Sequence, residues 1–319
     1  MARVNIVIPN YKGRDYLFSC LDSLKEQTFK DMHVIVVDDG SNDDELENAL
    51  SSYDIELVLK EKNEGFSATV NAGIKLSMDS EYVILLNNDT VVEKDYVEKM
   101  VEAMDGRNEI FSAQSKMVSL YNKDKMDSAG DYYCILGWAY NKGKDKSVNN
   151  YNKEKKIFSA CAGSAIYRVS TLKETGLFDE AHFAYLEDVD IGYRARLMGY
   201  KNIYAPKAVC YHAGSGFSGS RHNAFKVKLS SRNNIYLLHK NMNLFWRIVN
   251  ICPLSLGVLI KYLFFIRKGL GKDYITGVKE GFALYNKNKD KKVKYAPAVF
   301  GRSIIINFWL VISTFGLLG

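Results

Sequence analysis

Along the first ninety positions, apolar residues come in short runs that stop abruptly at an acid or an amide. Val4–Ile8 is one such run, halted by Pro9; Val34–Val37 and Tyr82–Leu86 are two more, with a shorter one at Leu57–Leu59. Short β-branched runs bounded by turn residues predict buried strands. Between them, residues 14–28 set Leu17, Cys20, Leu21 and Leu24 on one helical face, and residues 66–78 suit a second helix. A third is expected near 94–104. A fourth runs from Glu187 to Met198, acidic in its first turn and ending at Gly199. Strands alternating with helices predict a doubly wound, mostly parallel sheet, which binds ligands at the carboxyl ends of its strands. Those ends carry Asn10, Asp38-Asp39 and Asn87-Asn88-Asp89.

The pattern loosens after residue 110. Residues 121–156 are rich in Lys, Asn, Asp and Gly, with Tyr132, Tyr133, Trp138 and Tyr140 among them. A polar loop with aromatics suits a binding loop or a surface hairpin. Ile157–Val169 is apolar and strand-like. Beyond 244 the character changes again. Residues 248–260 are uncharged but short and include Pro253, and residues 303–319 form a second uncharged, mostly apolar stretch. A spanning helix needs roughly 20 apolar residues. The last stretch therefore sits at the lower limit, between lying on a membrane, packing inside the protein and spanning a bilayer.

The composition is that of a globular chain of 319 residues with a net charge of +6. The first 230 residues contain no basic stripe interleaved with aromatics, so no nucleic-acid partner is expected. The basic excess sits late, at Lys287, Lys289, Lys291, Lys292, Lys294 and Arg302, and fits polyphosphate, anionic lipid or plain solvation. Five scattered cysteines without a CxxC pair point to a reducing compartment and away from structural zinc. With no signal peptide read at the start, a cytoplasmic protein is expected.

Three acidic clusters carry the candidate chemistry. Asp89, with the amides Asn87 and Asn88, could help hold a divalent cation against a diphosphate, or simply cap its turn. Glu187 and Asp188 stand at a helix start in an aromatic setting of Phe183 and Tyr185. There a carboxylate could act as general base toward a hydroxyl, kept ionised by the helix dipole. Asp190 is better explained by an i,i+4 pair with Arg194. Asp38 and Asp39 could accept from a pyrimidine base stacked on Tyr11, or close an Asx turn. His212 follows a strand-like stretch and could bind metal or phosphate, or be structural. Lys226, Lys228 and Arg232 could reach a diphosphate or line a solvated helix. Read in this order, the clusters look like a sugar-nucleotide-dependent transferase.

The same residues resemble family 2 glycosyltransferases of the GT-A fold over roughly residues 3–240. The likeness rests on Ile6-Val7-Ile8-Pro9-Asn10-Tyr11, Gln27-Thr28, Val37-Asp38-Asp39-Gly40-Ser41, Asn63-Glu64-Gly65-Phe66 and Asn71-Ala72-Gly73. Asn87-Asn88-Asp89 stands at the family's DxD, and Leu186-Glu187-Asp188 at its catalytic base. Asp127-Ser128-Ala129-Gly130, Gly176-Leu177-Phe178-Asp179-Glu180, Glu187-Asp188-Val189-Asp190 and Arg232-Asn233-Asn234 are similar to a rhamnosyltransferase-like branch. The resemblance implies a GT-A domain over 1–240, with a nucleotide-binding half to about 110 and an acceptor half from 111. A helical, membrane-associated region would follow over 241–319.

It further implies Asp188 as general base with Glu187 beside it, and Asp89 with His212 as ligands of Mn²⁺ or Mg²⁺. Pro9, Asn10, Tyr11, Asp38, Asp39, Asn63, Gly65, Asn71, Asn87 and Asn88 would bind a dTDP- or UDP-linked sugar. Trp138, Phe183 and Tyr185 would face a glycan or lipid-linked acceptor. The expected activity is inverting transfer, at the cytoplasmic face of the cell membrane, with homo-oligomerisation left open. Two rivals stay open: a nucleotidyltransferase, for which Pro9-Asn10-Tyr11-Lys12-Gly13-Arg14 is a poor phosphate loop, and a catalytically silent membrane-bound subunit.

Overall fold

The computed structural model describes residues 2–214 and 222–317. Its first half alternates β1 (Val4–Asn10), α1 (Arg14–Lys25), β2 (Met32–Asp38), α2 (Leu46–Leu50), β3 (Glu56–Leu59), α3 (Phe66–Leu76), β4 (Tyr82–Leu86), β5 (Thr90–Val92) and α4 (Tyr96–Met104). There follow β6 (Ile110–Ser119), β7 (Met126–Ser128), β8 (Asp131–Tyr133), β9 (Ala139–Asn141), β10 (Lys155–Ile157), β11 (Ser164–Arg168), α5 (Val169–Thr175), α6 (Glu187–Met198) and β12 (Lys201–His212). Five helices close the chain: α7 (Ala224–Asn241), α8 (Leu244–Val249), α9 (Ile251–Arg267), α10 (Gly271–Lys287) and α11 (Pro297–Phe315).

The main sheet runs β10-β12-β6-β11-β4-β1-β2-β3, and β8 pairs with β9 in a separate hairpin. β1 is parallel to both β2 and β4, with Ile6 opposite Val34 and Ile84. β11 enters antiparallel between β4 and β6. The apolar runs are continuous because both faces of these strands are covered. Ile6, Ile8, Val34, Val36 and Ile84 pack with Leu17, Leu21 and Met100 of α1 and α4. Their alternates Val7, Ile35, Val37 and Val83 pack with Val70 and Ile74 of α3. The architecture is the expected GT-A α/β fold with an apolar C-terminal helix.

The single strand read at 157–169 is two. Ile157 ends β10 at the sheet edge, and the chain turns beneath the sheet before β11 begins at Ser164. Within that turn the Cys161 N–H donates to Gln114 Oε1, and the Phe158 N–H donates to the Asp131 carbonyl at 3.0 Å, so the segment is held outside the main ladder.

The tail is bound tightly to the rest. α10 lies along α7 so closely that a Cβ on Gly277 would stand 2.0 Å from Ser231 Oγ. A third apolar cluster joins Tyr133, Phe158, Tyr193 and Leu237 to Ile306 and Leu310 of α11.

Candidate active site

A cleft of about 900 Å³ opens at the carboxyl ends of β1, β2 and β4. It brings together Pro9, Asn10, Tyr11, Asp39, Asn63, Gly65, Asn87, Asn88 and Asp89 with the later Phe183, Tyr185 and His212; Lys226 also lines it.

At one end, Asp39 leaves β2 and is gripped by three donors. Lys60 Nζ lies at 2.7 Å, and the N–H groups of Glu64 and Gly65 at 3.0 and 2.9 Å. Gly65 has φ +90°, and a Cβ there would meet Phe183 Cδ2 at 2.5 Å, so only glycine lets the loop close under the aromatic turn.

At the other end, Asp89 meets His212. The β5–β12 ladder sets His212 opposite Thr90, which places His212 Nε2 3.2 Å from Asp89 Oδ1. The second ring nitrogen, Nδ1, bonds Asp127 Oδ2 at 2.9 Å, and Lys144 pairs with the same carboxylate. Burial alone would lower the imidazole pKa, but hydrogen bonds to Asp127 and Asp89 hold it up at about 9. Carboxylate oxygen is a donor that both Mn²⁺ and Mg²⁺ accept, an added imidazole nitrogen suits Mn²⁺ better than Mg²⁺, and a carboxylate on Nδ1 is the usual means of aiming Nε2 at a metal. The residues fit a divalent cation.

Asp188 sits behind the cleft wall, in the first turn of α6. Its Oδ1 accepts the Val189 N–H at 2.7 Å. Its carboxylate converges with those of Asp131 and the Cys161 thiol, all ligand atoms within 4.8 Å of one another, and Cys161 itself lines the cleft. Burial pushes Asp188 above the ordinary carboxylate range. The helix-start expectation of a lowered value is thus reversed, because desolvation outweighs the backbone donors. Asp131 is raised as well, by burial and by the Asp188 charge, as two carboxyls in one enclosed site must be. Asn141 Nδ2 bonds the other side of Asp131 at 3.2 Å. Glu187 is buried, its Oε2 has no hydrogen-bond partner, and burial with the neighbouring Asp188 raises its pKa well above normal.

The turn that delivers α6 is strained. Phe183, Tyr185 and Leu186 all have φ between 63° and 72°, a region that L side chains rarely adopt. Asn233 of α7 holds it: Nδ2 donates at 2.8 Å to the carbonyls of His182, Ala184 and Tyr185.

Three expected binding residues take other work. Asp38 accepts from Asn10 Nδ2 at 2.7 Å and from the Ser41 N–H and hydroxyl at 2.8 and 2.6 Å, closing the turn after β2, and unlike Asp39 does not line the cleft. Asn71 joins α3 to Phe178 and Glu180 through both ends of its amide. Trp138 turns away from the cleft and donates its indole N–H to Gly257 O of α9 at 3.1 Å. Of the expected phosphate contacts, Lys228 pairs with Glu280, and Arg232 binds the carbonyls of Ala181 and His182. Asp190 is structural, held by Arg194, Lys240 and Asn241.

Sequence reasoning assigned no role to Lys60, Asp127, Asp131 or Asn233. Asp127 and Asn233 stand inside the motifs that carried the resemblance, whereas Lys60 and Asp131 had no local signal.

The profile of Glycosyl transferase family 2 matches residues 5–176. Glycosyltransferase GlyA of Streptococcus pneumoniae is 27% identical over 220 residues, 65% of this chain and 30% of that protein. The amylovoran biosynthesis glycosyltransferase AmsB of Erwinia amylovora is 26% identical over 240 residues, 71% of this chain and 74% of that protein. The chain spans 30–60% of the length of four curated relatives from S. pneumoniae, Rickettsia prowazekii and Rickettsia typhi. Among solved structures, GalNAc-T7 with UDP, GalNAc and Mn²⁺ superposes with a TM-score of 0.59 at 14% identity, covering 75% of this chain and 48% of that one. Staphylococcus aureus TarS 1-349 with UDP gives 0.53 at 18% identity, covering 81% and 71%. The structural likeness carries the fold, and the sequence profile over residues 5–176 the family: this chain belongs to glycosyl transferase family 2.

Proposed function

We propose that this protein is an inverting, metal-dependent glycosyltransferase. It moves a sugar from a dTDP- or UDP-linked donor to a hydroxyl of a cell-surface polysaccharide or lipid-linked glycan at the cytoplasmic face of the membrane. The carrying observation is that one cleft joins Asp39 at one end to the Asp89–His212 pair at the other, with the half-buried Asp188 beside Cys161 of its lining.

In this reading Asp39, rigidly held by Lys60 and two backbone donors, accepts from the pyrimidine N3–H, and Tyr11 flanks the base. Asp89 and His212 would hold the cation, which when bound neutralises the departing diphosphate. Asp188 takes the acceptor proton. Its raised pKa makes it a stronger base than an exposed aspartate. Phe183 and Tyr185 offer faces to an acceptor sugar. The names of AmsB and TarS's UDP complex support polysaccharide chemistry and a uridine donor respectively. Rhamnose is the sugar the motif resemblance favours.

The test is a thermal-shift screen against UDP-, dTDP- and GDP-sugars with and without Mn²⁺ or Mg²⁺. Stabilisation by one pyrimidine donor, strengthened by metal and lost in both Asp39→Ala and Asp89→Ala, is expected. No shift with any donor would return the chain to a binding or scaffold subunit.

A further inference from the structure

The tail presents a face that none of the described residues covers. Among the described residues, nineteen of the twenty-three exposed large apolar side chains lie beyond residue 243. On α11, Ile304, Ile305, Phe308, Ile312 and Phe315 are 51–71% exposed. α8 adds Leu244, Phe245 and Ile248, and α9 adds Leu256, Leu259 and Leu263. These helices adjoin: Phe245 of α8 packs its ring 5.8 Å from Phe300 of α11, and Asn250 Nδ2 bonds Asn307 Oδ1 at 2.6 Å.

α11 is long and apolar enough to cross a bilayer, but its opposite side is committed to the folded domain. The Ile135 N–H donates to Leu310 O at 3.0 Å, Tyr140 hydroxyl to Ser313 O at 2.6 Å, and Lys142 Nζ to Gly316 O at 2.9 Å. Trp246 Nε1 donates to Ser303 Oγ at 2.8 Å. The turn of the β8–β9 hairpin is wedged between α11, through Ile135, and α9, through Trp138 and Gly257. A spanning α11 would have to surrender all of these polar partners to hydrocarbon.

Charge follows the same division. Residues 241–319 carry twelve basic and three acidic residues, a net +9, whereas residues 1–240 are net −3. Several of the lysines and arginines stand at helix ends: Arg267 and Lys268 close α9, and Lys289, Lys292 and Lys294 precede α11, while Lys261 and Arg302 lie within α9 and α11. Acyl chains and anionic headgroups match this pattern, in which one long apolar face is bordered by cations.

We propose that α8, α9 and α11 form a monotopic docking surface for an anionic lipid bilayer, lying in the interface plane without crossing it. This deepens the membrane location proposed above and rests on it. The test uses the purified full chain and sedimentation with vesicles of phosphatidylcholine alone or mixed with phosphatidylglycerol, at low and high salt. Nucleotide-sugar binding is measured in parallel by thermal shift.

Salt-sensitive binding to the anionic vesicles is expected. The double variant Ile305→Glu, Phe308→Glu should weaken partitioning by about tenfold or more, with melting temperature and nucleotide-sugar binding unchanged, because both side chains point outward. Lys289→Gln with Lys294→Gln should reduce binding to anionic vesicles only. Absence of vesicle binding overturns the proposal, as does a soluble dimer disrupted by the same glutamates, or extraction behaviour showing an integral span. Vesicle failure with nucleotide-sugar binding intact leaves the transferase reading standing; loss of nucleotide-sugar binding with vesicles still bound does the reverse.

Discussion

Asp127 and Asp188 show how a carboxylate's neighbours decide its chemistry. Asp127 fixes the His212 ring through Nδ1, so its effect on metal is transmitted through the imidazole. Asp127→Asn should therefore weaken Mn²⁺ or Mg²⁺ affinity by about 10- to 100-fold, read by calorimetric titration, while Asp39-dependent nucleoside binding persists. Asp188 is half-buried beside Asp131 and Cys161. Asp188→Asn should lower turnover by roughly 10²- to 10⁴-fold with unchanged circular dichroism and donor affinity; near-full turnover would remove it as the base. The residues were legible in part. Asp89, His212, Asp39 and Asp188 were all named from sequence. The local pattern could not tell Asp38, locked by Asn10 and Ser41, from its neighbour Asp39, which faces the cleft, since both stand in the same turn.

At the scale of elements, the strained turn before α6 is the piece on which catalysis should depend most. Three residues with positive φ, Phe183, Tyr185 and Leu186, stand within four positions, and the amide of Asn233 on another helix holds three of the turn's carbonyls. Leaving such groups unpaired costs about 1–3 kcal/mol each at most. Asn233→Ala should cut kcat more than it changes the donor KM, because Asp188 moves with the turn while Asp39 is anchored by Lys60 on the other side of the cleft. Equal losses in both parameters, or none, would reduce Asn233 to a packing residue. The elements were mostly legible, since periodicity marks a helix face or a two-sided strand without help. The split of 157–169 was not. An apolar run reads alike whether it stays in a sheet or turns beneath one, and the anchoring Gln114 is over forty residues away.

For the whole molecule, a charge network buried at Asp179, Asp190 and Lys240 reaches the tail through the more exposed Lys291. Asp179 binds Lys240 at 2.7 Å and Lys291 at 2.7 Å, and Lys240 reaches Asp190 at 2.9 Å. Burial alone would raise both acids, but Lys240 and its neighbours hold Asp179 and Asp190 below the ordinary range. Their stabilisation is therefore complete above the unfolded value of about 3.9 and fades as pH falls beneath it. Asp131, Glu187 and Asp188, raised by burial, act in the opposite sense, so the comparison must be made with a variant. Asp190→Asn should lose about 3–5 kcal/mol at neutral pH, and its gap to the parent protein in denaturant midpoint should narrow as pH drops below 4; a gap constant with pH would refute the linkage.

The sequence by itself determined the alternation of strands and helices, the family and the acidic ends of the strands, because these are written in local periodicity and short motifs. Only the tertiary structure decided which acids share a cleft and where the apolar tail packs. His212 reaches Asp89 through the pairing of two strands far apart in the chain. α11 carries an apolar pattern fit for a span, yet hydrogen bonds along one side hold it against the domain. Such outcomes depend on which partners arrive in space, and hydropathy along a chain records no partners.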